Sequence, residues 1–239
     1  SSILNAIIAV IIIVAVVSGM TIFIALLQEG QRKVPVQYTK KVQGRKMVGG
    51  QSSHIPFKVN TAGVIPVIFA SSIMQFPIVI ASFFQQEPSR SGTLGQKILF
   101  LLNQNNWLNI NGWDEFKYSI GLVVYVAFIL FFSYFYTSIT SNPLEIANNM
   151  KKQGGFIPGI RPGKPTAEYL SGVLNKIILI GAIGLIFIAT VPIIFSGTFG
   201  AQVSFGGTSL IIVVGVVLET MKQIESQMLV RHYKGFLSD

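Results

Sequence analysis

The chain has 239 residues, of which 51% are hydrophobic and only 11% are charged. Soluble domains carry about 25% charged residues, so this composition excludes an ordinary soluble domain. The net charge of +9 would suggest a nucleic-acid partner in a soluble protein, but here the cations are concentrated in particular loops, and cysteine chemistry is excluded because the chain has no cysteine.

Long uncharged segments indicate five membrane spans. A helix rises about 1.5 Å per residue, so about 20 apolar residues cross a hydrocarbon core about 30 Å thick. The last uncharged segment, 177–218, has 42 residues and predicts two spans, because glycines interrupt it near residues 197–207. The five predicted spans cover residues 3–27, 61–84, 118–140, 177–195 and about 208–230.

The loops between these spans differ in charge. Loop 28–60 has seven Lys and Arg residues against one acid, and loop 141–172 has four against two. Loop 85–117 instead balances three cations with three acids. Since cytoplasmic loops are the basic ones, we expect an outside N-terminus, an inside C-terminus and one membrane domain over 1–239. The chain enters its first span without an initiator Met, and we interpret it as part of a longer protein.

The first basic loop contains two stretches in which apolar and polar residues alternate, with glycines between them. This pattern predicts a β-hairpin that projects into the cytoplasm. Such cations often serve only to fix topology, but this loop is longer than a connector requires, and four cations cluster near its tip. We therefore predict a docking surface for an acidic partner. The four cations are Lys40, Lys41, Arg45 and Lys46.

The second predicted span is unusually polar for a membrane helix. Pro66 and Pro77 are each expected to remove a helix hydrogen bond, and Ser71, Ser72 and Gln75 place polar groups at depth. Ordinary helix packing would explain the two serines well but would explain Gln75 poorly. The pattern favours a mobile wall that lines an aqueous path.

The second basic loop has its own local signals. Asn142 and Pro143 predict the start of a short helix that Gly154 and Gly155 end. The following stretch, 158–163, contains two prolines and two glycines in six residues, with Arg161 near its apex. A lone arginine in a loop is usually just solvated, but one held between prolines loses less freedom on binding. We therefore expect Arg161 to take part in recognition.

The sequence shows no constellation for catalysis or metal binding. His54 and His232 are far apart, and no carboxylate lies inside a span before Glu219. An enzyme or an ion-coupled transporter would usually show an ionisable pair at membrane depth. We therefore predict no enzyme activity, no metal and no cofactor. One candidate that remains open is a chain forming half of an inverted-repeat secondary transporter, and coupled uptake of an ion or solute would reveal that function.

Three stretches together resemble one family. They are residues 31–72, GGFIPGIRPGKPTAEYL at Gly154–Leu170, and FGGTSLIIVVGVVLET at Phe205–Thr220. They resemble the bacterial SecY family, the protein-conducting channel of the general secretory pathway, and specifically its sixth to tenth spans. The resemblance implies an all-α membrane protein whose five transmembrane helices form one half of an inverted-repeat channel, with a cytoplasmic β-hairpin.

The resemblance also implies roles for particular residues. Ile68 and Ile212 match members of an apolar pore ring. Arg161 matches an arginine important for SecA, and Arg45 and Lys46 match a basic tip that contacts SecA or the ribosome, next to Lys40 and Lys41. The positions at the lateral gate, where signal sequences bind, are Ser71, Ser72 and Phe76, with Gln75 beside them.

The implied function is transport of unfolded secretory polypeptides across the bacterial plasma membrane, with lateral release of signal sequences and membrane spans into lipid. The chain itself would do no bond chemistry. The implied partners are the N-terminal half of SecY, SecE, SecG, SecA, the ribosome, the secretory preprotein with its signal sequence, and membrane lipid.

Overall fold

The structure is a computed structural model, and it combines a bundle of long helices with a smaller unit built from the loops. It describes residues 2–39, 41–43, 46–48, 52–89, 91–104, 107, 119–199 and 207–234. The helices are α1 (Ser2–Glu29), α2 (Ile65–Phe83), α3 (Leu94–Leu102), α4 (Ile120–Thr140), α5 (Pro143–Lys152), α6 (Lys164–Phe199) and α7 (Gly207–Lys234). The strands are β1 (Gln31–Tyr38), β2 (Lys41–Gln43), β3 (Lys46–Val48), β4 (Ser52–Lys58) and β5 (Gly155–Phe156).

Four helical segments in the described residues are long and apolar enough to cross a membrane. They overlap the first four predicted spans, although the third and fourth segments are longer than predicted, and the expected helical membrane fold is confirmed. The fifth predicted span, about 208–230, corresponds to α7, which is helical but is not among these four. Its membrane crossing therefore stays a prediction. The four segments are Ile7–Glu29, Ile65–Phe83, Ile120–Lys152 and Lys164–Phe195.

Helix α6 begins inside the segment predicted as the second basic loop. The loop was expected to reach residue 172, but α6 begins at Lys164 and continues for 36 residues. Gly163 has a φ of +107°, which turns the chain into the helix, and the Ala167 N–H donates to the Gly163 carbonyl at 3.1 Å. The early turns then bury Leu170 and Leu174. This burial extends the helix well before its uncharged part begins.

The predicted hairpin is present. Strands β1 and β4 pair antiparallel from Gln31 opposite Lys58 to Gln37 opposite Ser52, and β2 pairs with β3 beyond them. The short strand β5 joins the other edge of β1, which gives the sheet order β4-β1-β5. Val34 and Val36 are buried on one face of β1, as the alternation predicted.

The described residues form two apolar cores. The helical bundle encloses one, to which α1, α2, α4, α6 and α7 contribute. The other lies between the sheet, α5 and the start of α6; we call these elements together the loop unit. Helix α6 supplies Leu170 and Leu174 to the loop-unit core and Leu185 and Ile188 to the bundle core. One continuous helix thus connects both parts of the fold.

Replacing either of two glycines in α6 with alanine should change the free energy of unfolding, and the two changes should have opposite signs. A Cβ at Gly181 would collide with the backbone carbonyl oxygen of Val59, whereas a Cβ at Gly172 would have nothing within 4 Å. We expect Gly181→Ala to destabilise the fold by about 1–3 kcal/mol, because neither backbone can move aside cheaply. Gly172→Ala should stabilise it by up to about 1 kcal/mol through helix propensity.

The unfolding midpoint of each variant in detergent measures this difference. Equal midpoints for the two variants would mean that α6 does not pack closely on the turn that follows β4.

Candidate functional site

The five site residues predicted in α2 share one side of the helix. At 100° per residue, positions 68, 71, 72, 75 and 76 lie within less than half a turn. The opposite side contains the buried residues Val67, Ala70 and Met74, on the face of α2 that belongs to the bundle core. Of the predicted set, Ile68 is 39% exposed and Phe76 is 66% exposed. We call this side the α2 stripe: Ile68, Ser71, Ser72, Gln75 and Phe76.

The polar members of the α2 stripe differ in their hydrogen bonding. The Ser71 hydroxyl donates to the Ile68 carbonyl at 3.0 Å, within its own helix. Ser72 and Gln75 are exposed, and within the described residues their side chains make no hydrogen bond. An unpaired amide facing lipid hydrocarbon would be costly. The α2 stripe is therefore suited to face water or another protein segment rather than lipid.

The two prolines of α2 act differently from each other. Pro66 lies in the first turn, where backbone N–H groups have no intrahelical partner, so it removes no helix hydrogen bond. The expectation for Pro66 was therefore wrong. Pro77 lies inside the helix and does remove one. Any bend in α2 should thus occur near Pro77, close to Phe76.

Ile212 lies on an exposed side of α7. Its neighbours Ile211 and Val214 are buried in the bundle core, and Ile212 is 44% exposed. The Gln28 side chain donates to the Ile211 carbonyl at 3.2 Å, which ties α7 to the end of α1. Ile68 and Ile212 therefore both present apolar surface away from the bundle core, and their place around one common axis stays a prediction.

Arg161 is held at the apex of an ordered turn. The Ile160 N–H donates to the carbonyl of the buried Ile157 at 3.0 Å. The hydroxyl of Thr166, only 2% exposed, donates to the Arg161 carbonyl at 2.8 Å. Gly159 adopts a φ of +82°, which favours glycine. The backbone is thus fixed on both sides while the Arg161 side chain stays exposed.

The cations predicted at the hairpin tip are only partly described. Lys40 and Arg45 lie outside the described residues. Lys41 and Lys46 lie in β2 and β3, where Lys41 is opposite Val48 and Lys46 is opposite Gln43. These backbone positions place both lysines in the outer ladder of the hairpin, so the tip remains a predicted docking surface.

The described residues contain no group of three or more His, Asp or Glu side chains that could hold a metal ion. Arg161 lies in the turn before α6, and the backbone of Lys41 and Lys46 lies in β2 and β3.

Sequence reasoning missed one feature near this site. The buried side chain of Asn60, in the turn between β4 and α2, lines a cleft formed by residues from several distant segments. In the sequence, the only local indication of this cleft is a single Asn that directly precedes a predicted apolar span.

These features define the class of the molecule: a multi-pass helical membrane protein with a sheet on one side of its bundle and an exposed, partly polar face on one spanning helix. A SecY family model matches residues 1–221. The chain belongs to the SecY family. The resemblance inferred from its residues is thereby confirmed.

Curated relatives agree with this membership. Protein translocase subunit SecY of Streptomyces galbus is 48% identical over 227 residues, which cover 94% of this chain and 48% of the relative. The subunit of the same name from Mycobacterium tuberculosis H37Rv is 46% identical over 241 residues, covering 96% and 49%. The chain thus spans about half the length of the curated relatives it matches, consistent with the predicted half.

Two solved structures share the fold. One, described as "The structure of a protein conducting channel", has a TM-score of 0.56 at 18% identity and covers 87% of this chain and 47% of its own. The other concerns the plug domain of SecY and the closed state of the translocation channel, with a TM-score of 0.54 at 19% identity, covering 89% and 48%. At such identity, these likenesses establish the fold alone.

Proposed function

We propose that this chain forms one half of a Sec protein-conducting channel in the bacterial plasma membrane. It passes unfolded secretory polypeptides across the membrane and releases signal sequences and membrane spans sideways into lipid. The observation that carries the proposal is the α2 stripe, which is exposed and partly polar although it lies on a membrane-capable helix. Membership of the SecY family over residues 1–221 supports it.

The pore must pass a polypeptide while it holds back ions. Ile68 and Ile212 present branched aliphatic side chains with no hydrogen-bonding group, and both are exposed away from the bundle core. An apolar constriction of this kind can stay dry and does not bind the passing chain. Because β-branched side chains are stiff, the ring closes by contact.

The lateral gate must accept an apolar signal helix. In the α2 stripe, Phe76 offers apolar surface beside the polar side chains of Ser72 and Gln75. These polar groups bind water at the closed seam between this chain and the neighbouring half of the channel. A signal helix that replaces the neighbouring half at this seam can then partition into lipid. The neighbouring half is the N-terminal half of SecY, which fits a chain that spans about half the length of its relatives.

Further subunits and docking partners complete the proposed assembly. SecE and SecG join the two halves of the channel in the membrane. SecA or the ribosome docks on the cytoplasmic loops, where Arg161 is exposed on its fixed turn. The loop unit has its own apolar core, so it can receive a partner without unfolding.

A photo-crosslinking amino acid placed at Phe76 tests the proposed function. In the assembled channel engaged with a secretory preprotein, we expect the probe at Phe76 to crosslink to the signal sequence. The matched control is the same probe at Ile183, an exposed residue of α6 away from the α2 stripe. Coupled uptake of an ion or solute, with equal crosslinking from both positions, would instead support the transporter alternative.

The hairpin tip offers a separate prediction. Reversing the charge of Lys40, Lys41, Arg45 and Lys46 together should weaken binding of SecA or the ribosome at low salt, because attraction between exposed charges extends over about 10 Å at 0.1 M salt. The measurement is the dissociation constant at two ionic strengths. If affinity at low salt is unchanged, the four cations act only in membrane topology.

A further inference from the structure

A polar cleft lies where the helical bundle meets the loop unit. Its volume is about 460 Å³, and residues from α1, β4, the turn before α2, α4 and α7 line it. These segments are far apart in the chain, so the fold, not one local motif, forms the cleft. Its polar and charged side chains are Gln28, Lys58, Asn60, Thr61, Tyr136, Glu219 and Lys222.

The cleft lies at the depth where apolar helices give way to polar residues. Glu219 is the first charged residue after the uncharged stretch 177–218. Gln28 lies next to the last residue of α1, and Tyr136 lies in the last part of α4. Lipid headgroups occupy this depth in a bilayer, outside the hydrocarbon core of about 30 Å.

One side of the cleft favours an anion. The side chain of Asn60 is 9% exposed, and its buried Nδ2 has no hydrogen-bond partner. The N–H groups of Gly63 and Val64, at the start of the 19-residue helix α2, make no hydrogen bond within the described residues. Free N–H groups and the helix dipole favour phosphate at such a helix start, and the Lys58 side chain, which also lines the cleft, adds a positive charge.

The other side of the cleft favours a cation. Glu219 on α7 lines it, and its neighbour Lys222 is already paired with Glu29 at 3.4 Å. A ligand that carries only negative charge would be repelled by the Glu219 carboxylate. A ligand that contains both a phosphate and an amine would satisfy both sides of the cleft.

We propose that this cleft binds the phosphoethanolamine headgroup of a membrane phospholipid. The phosphate lies at the start of α2 near Lys58 and Asn60, and the amine lies near Glu219. The depth of the cleft places the ligand among the headgroups of the bilayer rather than in free solution. The cleft adjoins the α2 stripe, because Ile65 lines it one turn before Ile68, but lipid binding there does not depend on transport.

The test measures lipid binding by the chain purified in its native assembly and placed in nanodiscs of defined composition. We expect Lys58→Glu to weaken binding of phosphatidylethanolamine about tenfold, because a charge-assisted contact becomes a repulsion. The matched control is Lys33→Glu, the same change at an exposed lysine of β1 outside the cleft. Equal binding by the two variants would overturn the proposal.

A second variant tests the amine. Glu219→Gln should reduce the preference for phosphatidylethanolamine over phosphatidylglycerol several-fold, since phosphatidylglycerol has the phosphate without the amine. An unchanged preference would contradict the assignment of Glu219. Soluble phosphoethanolamine serves as a competitor: we expect no displacement at millimolar concentration, and full displacement would identify a soluble ligand instead. Each readout here is lipid binding. If the unmodified assembly binds the lipid as expected but does not transport a preprotein, only the proposed function is contradicted.

Discussion

Replacing Ile68 with Asn should increase ion leak through the assembled channel about tenfold and reduce its dependence on a good signal sequence. The amide would lie in a closed, dry constriction without enough partners. Leaving such a group unpaired costs about 1–3 kcal/mol, and this cost destabilises the closed state relative to the hydrated open state. Ile212→Asn should act in the same direction, because Ile212 is similarly exposed on α7.

The matched control is Ile73→Asn. Ile73 lies on the same helix and is also exposed, but it lies about 140° around the helix axis from Ile68. The measurements are single-channel conductance in planar bilayers and export of a preprotein with a defective signal sequence. Equal leak from the variants at positions 68 and 73 would mean that the effect is general helix destabilisation, and would defeat the pore-ring assignment.

Reversing the charge of Arg161 should reduce SecA-driven transport about tenfold or more while the chain stays folded. Its turn is held by the Thr166 hydroxyl and the buried Ile157, so the side chain can change without loss of the turn. A hydrogen bond to a charged group contributes about 1.5–3 kcal/mol, and glutamate would add repulsion against an acidic partner. SecA-dependent translocation by purified channels in vesicles gives the rate.

Two further substitutions make this test specific. Lys164→Glu applies the same charge change at an exposed residue three positions further on, at the start of α6, and should have a much smaller effect. Arg161→Lys keeps the charge but loses the planar, two-pronged donor, and should give an intermediate rate. If Arg161→Glu and Lys164→Glu reduce the translocation rate equally, Arg161 contributes only its positive charge and no specific contact.

The local features of the fold were predictable because local residues determine them. Alternation of apolar and polar residues predicted β1 and β4, and these strands pair in one continuous ladder. Asn142 and Pro143 predicted the start of α5, and the Asn142 Oδ1 accepts a hydrogen bond from the Leu144 N–H at 3.1 Å. Each of these signals acts within a few residues, so one sequence contains enough information.

The features that sequence reasoning missed depend on distant contacts. Strand β5 has only two residues, and its partners Gln37 and Tyr38 lie more than a hundred positions earlier. The early start of α6 depends on burial of Leu170 and Leu174 in the core beneath the sheet. The charge pattern alone placed the span after Lys176, because uncharged stretches indicate segments within the membrane and carry no information on burial in this second core.

The candidate site was predictable in part. The polar residues of α2 stood out because an apolar span rarely contains them, and the structure shows that they share one exposed side. The roles of Ile68 and Ile212 came from resemblance alone, since isoleucine is ordinary in any membrane helix. The cleft around Asn60 could not be predicted, because residues up to 194 positions apart, Gln28 and Lys222, contribute to it.

Helix α6 has a mechanical consequence for the whole molecule. Its 36 residues, at about 1.5 Å each, give a rod about 54 Å long that begins three residues after Arg161. Both of its halves are clamped in close-packed cores, which transmit strain and compress little. A tilt of about 5° applied at the Arg161 turn would displace the far end by about 5 Å, about the length of one helical turn. A displacement at this turn would therefore be transmitted along the whole helix, and Pro192, near its far end, is the position where the helix can bend.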